Sequence, residues 1–528
     1  MAPSRAQRLA LILALCGAAA CGAPTPAPAP AAPQPSRTGP NIGASRVVPM
    51  PESLSVATGA PFIIDSTTSI VTDGDAEVWR TADWLAGLIR KSTDFRIPVN
   101  RGGAATPKSV RLRIGGSASL GDEGYELSVS ADSIVIVAPR PAGIYHGAQT
   151  LRQLLPADIE SDIGLGRPMG APAVRIVDKP RYAWRGAMLD VARHFFTVHE
   201  VKQFIDIAAM YKLNVVHLHL TDDQGWRVQI DSRPRLTSVG SQSQVGGGPG
   251  GFYTKQDYAE IVKYASDRYI TFVPEIEMPS HINAALSAYP EISCSVRPAG
   301  VYTGTDVGWS ALCVDKEETY RLIDDVIREL AAMTPGPYIH IGGDEVATLN
   351  REQYVKFIER AQDIVAKYNK QMIGWEEITK ARLRPTTLAQ QWKSDSASAA
   401  LQSGAKLIMS PSDKIYIDMK YNANTELGLD WAALIELRRS YDWNPATYVP
   451  GVGDQNIVGV EAPLWSETVR NITSAEYLMM PRLPAAAEVG WTPQALRNWE
   501  SFRTRIAGQA PRWNYLGINW HRSPEVAW

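Results

Sequence analysis

Beyond Pro180 the chain alternates short apolar runs with amphipathic stretches, and no other feature restricts its fold so tightly. Eight runs read as strands: Arg185 to Val191, Asn214 to Leu220, Ile270 to Ile276, Tyr338 to Gly342, Gln371 to Trp375, Thr387 to Trp392, Lys406 to Ser410 and Ile457 to Ala462. Nearly continuous apolar character suits parallel strands buried on both faces. Helical patterns between them carry start signals, since Thr197 with Glu200 and Thr254 with Asp257 form capping boxes. Strand, helix and strand in repetition imply parallel pairing, and eight repeats suggest a closed (β/α)8 TIM barrel over residues 179–528, an α/β fold. The alternation becomes irregular after Leu407.

Residues 46–178 have another texture. Val110–Ile114 and Tyr125–Val129 alternate as half-buried strands do, and Ser133–Val137 follows. Gly143 to Leu155 reads as a helix with Ile144, Ala148, Leu151 and Leu155 on one face. A smaller α+β domain is therefore expected before the barrel, and the stretch from Pro156 to Pro172, rich in Gly, Pro and Asp, is expected to cover the crossing.

A formal net charge of −2 gives no reason to expect nucleic acid or a polyanionic substrate. At the N-terminus, Arg5 and Arg8 precede an apolar stretch from Leu9 to Ala20 and small residues around Cys21. That is the layout of a secretory signal over residues 1–21, and it is too short to span a bilayer. Ala18-Ala19-Ala20-Cys21-Gly22 resembles a bacterial lipoprotein processing site, which makes Cys21 a lipidation candidate and residues 22–45 an Ala/Pro-rich tether. An exported product is expected, with lipidated, periplasmic and freely secreted forms all open. In an oxidising compartment, Cys294 and Cys313 are expected to pair.

Where the barrel strands end, polar and aromatic groups recur: Asp190, Arg193 and His194; Asp222 and Asp223; Glu275, Glu277 and His281; Asp344 and Glu345; Trp375 and Glu376; Trp392; Glu461 and Trp465. Catalytic groups of such barrels sit at these ends. In Tyr338-Ile-His-Ile-Gly-Gly-Asp344-Glu345, two glycines let a ligand or another backbone approach an adjacent acid pair. Two chemistries fit the rim. His217-Leu-His219 with Asp222 can ligate a catalytic metal, because alternate strand residues point the same way. Alternatively, carboxylates in an aromatic-lined pocket hydrolyse glycosides without a metal, and fifteen Trp and twenty Tyr supply faces for sugar rings.

The motifs Trp184-Arg-Gly-Ala-Met-Leu-Asp-Val-Ala-Arg-His194, Lys212-Leu-Asn-Val-Val-His-Leu-His-Leu-Thr-Asp-Asp-Gln-Gly-Trp226, Pro274-Glu-Ile-Glu-Met-Pro-Ser-His281 and His340-Ile-Gly-Gly-Asp-Glu-Val346 resemble those of the β-N-acetylhexosaminidases of glycoside hydrolase family twenty. Glu123-Gly-Tyr125 and Ala142-Gly-Ile-Tyr145 resemble that family's accessory domain. The resemblance implies an exo-acting, retaining hydrolase of terminal β-linked GlcNAc, and GalNAc, without cofactor or metal. In such an enzyme the substrate's 2-acetamido group is the nucleophile. Glu345 would be general acid and then base, Asp344 would orient the acetamide, and His281 with Asp222 would support Glu345. Trp375, Trp392 and Trp465 would enclose the sugar; Tyr416 and Asp418 would bind the acetamide oxygen and a hydroxyl; Arg193 and Glu467 would grip the non-reducing end. The implied partner is an oligosaccharide or glycoconjugate. An ionised Asp344 is expected to raise the pKa of Glu345. Glu277 and Ser280 depart from the family's usual Asp and Gly, and neither is expected to touch the acid pair. A sugar-binding protein that has lost catalysis is the rival from another class, and retention of both acids speaks against it.

Overall fold

Eight strands form and close in chain order in the computed structural model, which describes residues 46–102, 107–295 and 300–528. The signal, the tether and Cys21 lie outside the described residues. The barrel strands are β1 (Trp184–Asp190), β2 (Val215–His219), β3 (Thr271–Glu275), β4 (Tyr338–His340), β5 (Gln371–Trp375), β6 (Leu388–Gln391), β7 (Lys406–Met409) and β8 (Ile457–Leu464). All pair in parallel, and the Trp184↔Gly459 to Leu189↔Leu464 register joins β1 to β8. Alternation then divides the side chains. Ala187, Leu189, Val216 and Leu218 join the main core, while Trp184, Val215, Val273, Ile373, Leu388 and Ile408 form a separate apolar cluster. Further along the same strands come His217, Glu275, Gln390 and Glu461, all buried. The barrel therefore has an apolar floor beneath a charged layer.

Both expected capping boxes form, at the starts of helices Val198–Met210 and Lys255–Ser266. Helices Glu317–Met333 and Arg351–Lys367 flank β4 in sequence. After β5 and β6 the regular alternation gives way to 3₁₀ turns at Glu376–Lys380 and Asp395–Ser403, earlier than the sequence suggests. The β5–β6 connection is short and carries Pro385, which does not suit a helix interior.

The smaller domain has a seven-stranded mixed sheet, in spatial order Ser53–Val56, Val174–Asp178, Tyr125–Val129, Ser133–Ala138, Ser109–Ile114, Ser69–Thr72 and Val99–Arg101. The expected helix spans Pro141–Leu154 and is buried on every side from Gly143 onward. The stretch from Pro156 to Pro172 is not the crossing. It includes strand Met169–Ala171, paired with Phe62–Ile64, and the chain then returns to the sheet through Val174–Asp178. Val174, Ile176 and Asp178 alternate inward and hold that return, so the chain leaves only after Asp178.

Candidate active site

Beyond β4 the backbone turns sharply into the acid pair. Gly342 and Gly343 have φ of 67° and 99°, and Glu345 follows at 51°, a left-handed conformation that costs a residue with a Cβ. A Cβ on Gly342 would lie 1.9 Å from the Glu277 carboxylate, so glycine is required there. Three contacts hold this turn. Glu277 Oε1 accepts the Gly343 N–H at 2.9 Å, Tyr354 OH donates to the Gly343 carbonyl at 2.6 Å, and Ser280 Oγ donates to the Asp344 carbonyl at 2.6 Å. Ser280 thus engages the acid-pair backbone, contrary to the sequence expectation, and Glu277 holds the glycine just before it. The two loops meet across neighbouring strands β3 and β4, a proximity that chain separation conceals.

His281, at φ 50°, stands between the carboxylates. Its Nε2 is 3.5 Å from Glu345 and 4.0 Å from Asp344, and its Nδ1 is 3.5 Å from Asp222. Burial disfavours charge on this ring, but Asp222, Glu345 and Asp344 outweigh it and hold the ring as imidazolium, its pKa well above the ordinary value. Burial also pushes Asp222 up, yet Arg193, with Nη2 at 2.9 Å, His281 and His219 keep it ionised. For the acid pair, the expected pattern is reversed. Burial raises Asp344 to about 7, with Glu377, Glu345 and Glu275 adding like charge against the pull of His281. Glu345 is the more exposed of the pair. Burial pushes it up, but His281, Lys393 and Arg193 push it further down, below its usual value.

The aromatic residues assemble beside these acids. Trp375 ends β5, and Trp392 and Trp465 follow β6 and β8 directly. Trp392 and Tyr416 are stacked at 6.4 Å and 8°, and Trp375 lies 5.7 Å from Trp465. Trp392 Nε1 donates to Glu377 at 3.0 Å. Trp431, which the sequence reading overlooked, meets Trp392 and Tyr416 edge-on at 5.9 and 6.1 Å and leaves 54% of its surface exposed. Its long loop after β7 lacks a periodic signal. Tyr416 and Asp418 come from the same loop, and Arg193 lies 5.0 Å over the Trp465 ring. Burial and the neighbouring Glu467 push the Asp418 carboxyl up. Arg193 in turn offsets part of the burial effect on Glu467. Among the described residues, Asp344 Oδ1, both Asp418 oxygens and Arg193 Nε have no hydrogen-bond partner. Buried polar atoms of this kind are usually satisfied by a ligand or water.

The histidines of the rival metal reading have other partners. His217 Nδ1 donates to Glu461 at 2.8 Å, and His219 donates to Glu275 at 2.6 Å and to Asp222 at 2.8 Å. His217, Glu275 and His340 bring possible ligand atoms within 4.8 Å of one another, as do Asp222, Asp223 and His281. Carboxylate partners hold His219 as a double donor, with its pKa raised to about 10 against the effect of burial, and a protonated ring is a poor ligand. Cys294 and Cys313 form a disulfide, as expected. It closes the segment that contributes Ser310, whose Oγ donates to Asp223.

Cleaving a glycosidic bond calls for carboxyls that hold and release a proton beside a surface that receives a sugar, so fold and site together define a barrel glycoside hydrolase. Residues 182–494 match the family model described as Glycosyl hydrolase family 20, catalytic domain, and residues 44–179 match Glycosyl hydrolase family 20, domain 2. The β-N-acetylhexosaminidase of Cellulomonas fimi is 45% identical over 486 residues, 91% of this chain and 97% of that protein. The GH20 β-N-acetylhexosaminidase structure from Streptomyces coelicolor A3(2) superposes with a TM-score of 0.89 at 48% identity, covering 92% of this chain and 99% of its own. Another, the Streptomyces plicatus N-acetyl-β-hexosaminidase in complex with Thio-NAglucal, gives 0.89 at 47% identity, covering 95% and 99%. The chain belongs to glycosyl hydrolase family 20, and its enzyme class is β-N-acetylhexosaminidase.

Proposed function

We propose that the enzyme removes terminal non-reducing β-linked GlcNAc with retention, the substrate's own acetamide oxygen attacking the anomeric carbon to give an oxazolinium-type intermediate. The observation that carries this reading is the unpartnered Asp344 Oδ1 beside Glu345 and the tryptophan cage. Asp344 accepts the acetamide N–H and stabilises the positive charge that develops on the bicyclic intermediate. Tyr416 donates to the acetamide oxygen, while Trp375, Trp392 and Trp465 exclude other acetamide conformations and so hold the nucleophile near attack geometry. Glu345 protonates the leaving oxygen and then deprotonates water. Arg193, Asp418 and Glu467 bind hydroxyls at the non-reducing end, which makes the action exo. GalNAc presents the same acetamide to the same cage and belongs in this reading.

Export is part of the proposal, supported by the signal layout and the disulfide, with Cys21 as the site of lipid attachment in an anchored form. Among the described residues, no helix is long and apolar enough to cross a membrane. The test is release of nitrophenol from the β-N-acetylglucosaminide and from the plain β-glucoside, with and without EDTA, by wild type and Glu345→Gln. Cleavage restricted to the acetamido sugar, unaffected by chelator and reduced about 10²- to 10⁴-fold in the variant, is expected. Equal cleavage of both sugars, or inactivation by EDTA, overturns the mechanism.

A further inference from the structure

The charged layer inside the barrel takes no part in the chemistry described so far, and its centre is Glu275. This residue ends β3 and is wholly buried. Its Oε1 accepts the indole N–H of Trp375 at 2.9 Å and faces His340 Nδ1 at 2.8 Å. Its Oε2 accepts His219 Nδ1 at 2.6 Å and lies 3.1 Å from His217 Nε2. Each contact leads to a different part of the catalytic site. Trp375 is a wall of the acetamide cage. His219 continues to Asp222 at 2.8 Å, Asp222 to His281 at 3.5 Å, and His281 to Glu345 at 3.5 Å. His340 Nδ1 also faces the Gly342 N–H at 3.0 Å, at the start of the acid-pair turn.

We infer that Glu275 is a positioning residue that keeps the acetamide-cage wall and the imidazole chain behind the general acid in register with each other. The inference rests on the substrate-assisted reading above. Its physical basis is the symmetry of a carboxylate. Two equivalent oxygens accept on opposite sides, here from an indole and an imidazolium, both of which are donors. An amide at this position has one accepting end and one donating end. Turned with its oxygen toward His219, it confronts Trp375 Nε1 with another donor; turned the other way, it presents a donor that His219 Nδ1 accepts only by giving up its proton. Glu275→Gln therefore preserves volume but either breaks the Trp375 bond or discharges the His219 imidazolium. A carboxylate this deep would be costly alone, and the protonated His219 and His217 rings hold it ionised against burial.

The titratable groups facing Glu275 are His217 and His219 from β2, His340 from β4, Glu277 beyond its own strand end and Asp344 beyond β4. Its negative charge helps keep the Asp344 carboxyl raised, so loss of that charge moves the alkaline limb of the kcat/KM profile to lower pH. The probe for the cage is a sugar-fused thiazoline that mimics the bicyclic intermediate. Its affinity is expected to fall about ten- to hundredfold in Glu275→Gln, the range for a hydrogen bond to a charged group. Trp375→Phe keeps an aromatic wall and removes the donor together with part of the ring, so it tests the same bond without altering the buried charge. Its effect is expected to be non-additive with Glu275→Gln.

Glu461→Gln is the structural control. Glu461 is equally buried and accepts from His217, Gln390 and Trp184 at 2.8–2.9 Å, but none of these is Trp375 or His219. Both glutamine variants should lower Tm, and only Glu275→Gln should weaken thiazoline binding and move the pH limb. Unchanged thiazoline affinity in folded Glu275→Gln, or an equal loss in Glu461→Gln, overturns the inference. If Glu275→Gln does not fold, wild-type affinity in Trp375→Phe does so instead. Failure of the wild type to bind the thiazoline while it still hydrolyses the acetamido substrate would overturn the substrate-assisted reading.

Discussion

Asp344 and Glu345 are chain neighbours whose surroundings push them in opposite directions. Raised to about 7 by burial and nearby acids, Asp344 holds a proton below neutrality, whereas Glu345, depressed by His281, gives its proton up. The proposed reaction needs the other arrangement, with Asp344 ionised and Glu345 protonated. The acetamide N–H favours the Asp344 carboxylate, and a bound sugar shields Glu345 from water, so binding transfers the proton without changing how many the pair holds. The productive free enzyme is the singly protonated pair, and the limbs of its profile belong to the pair. We expect a bell-shaped kcat/KM profile. It falls as pH rises through about 7, where Asp344 loses its proton, and it falls again below Glu345's depressed pKa, where the pair gains a second. In Asp344→Asn only Glu345 is left to hold the proton, so the residual activity should lose its alkaline limb at lower pH than in wild type. An unmoved limb would remove Asp344 from this account.

The turn after β4 shows how elements, and not single residues, place the acids. Ser280, from the loop after β3, donates to the Asp344 carbonyl, and Ser280→Ala deletes that bond alone. A stability loss of about 1 kcal/mol is expected. If the bond helps fix the acid pair, kcat should fall severalfold while KM changes little, and an unchanged kcat would leave Ser280 a merely structural role. The sequence showed the eight strands because continuous apolar runs mark buried parallel strands, and it showed Asp344, Glu345 and Trp375 because they stand at the ends of those runs. It concealed Ser280 and Glu277, whose partners lie on the adjoining loop, and Trp431, whose loop has no period. It also gave the wrong direction for the Glu345 pKa. The two carboxyls look equivalent in a string of letters, and the difference comes from depth and from which one faces His281.

At the scale of the whole molecule, the small domain and the barrel are joined by buried ions. Glu123 pairs with Arg185 at 2.6 Å, Lys212 lies 3.6 Å from Asp178, and Trp491 Nε1 donates to the same aspartate at 2.9 Å. Glu160 accepts from Arg152 at 2.6 Å and from Arg512 near the C-terminus, tying the end of the chain to the accessory domain. Glu160→Gln keeps the shape and leaves two buried guanidinium groups with no anion, which should cost about 3–5 kcal/mol. The pH dependence follows from the sign of the shift. Although burial raises it, Arg152 and Arg512 bring the Glu160 pKa down from 4.5 to about 2. Its contribution is therefore complete above 4.5 and is lost as pH falls toward about 2. Urea unfolding followed both by tryptophan fluorescence and by residual glycosidase activity should place the Glu160→Gln midpoint well below wild type near neutrality. The gap between the two proteins should narrow as the pH is lowered through that window. A gap that stays constant would mean that the carboxylate's charge does not hold the two parts together, and that packing alone seats the accessory domain against the barrel.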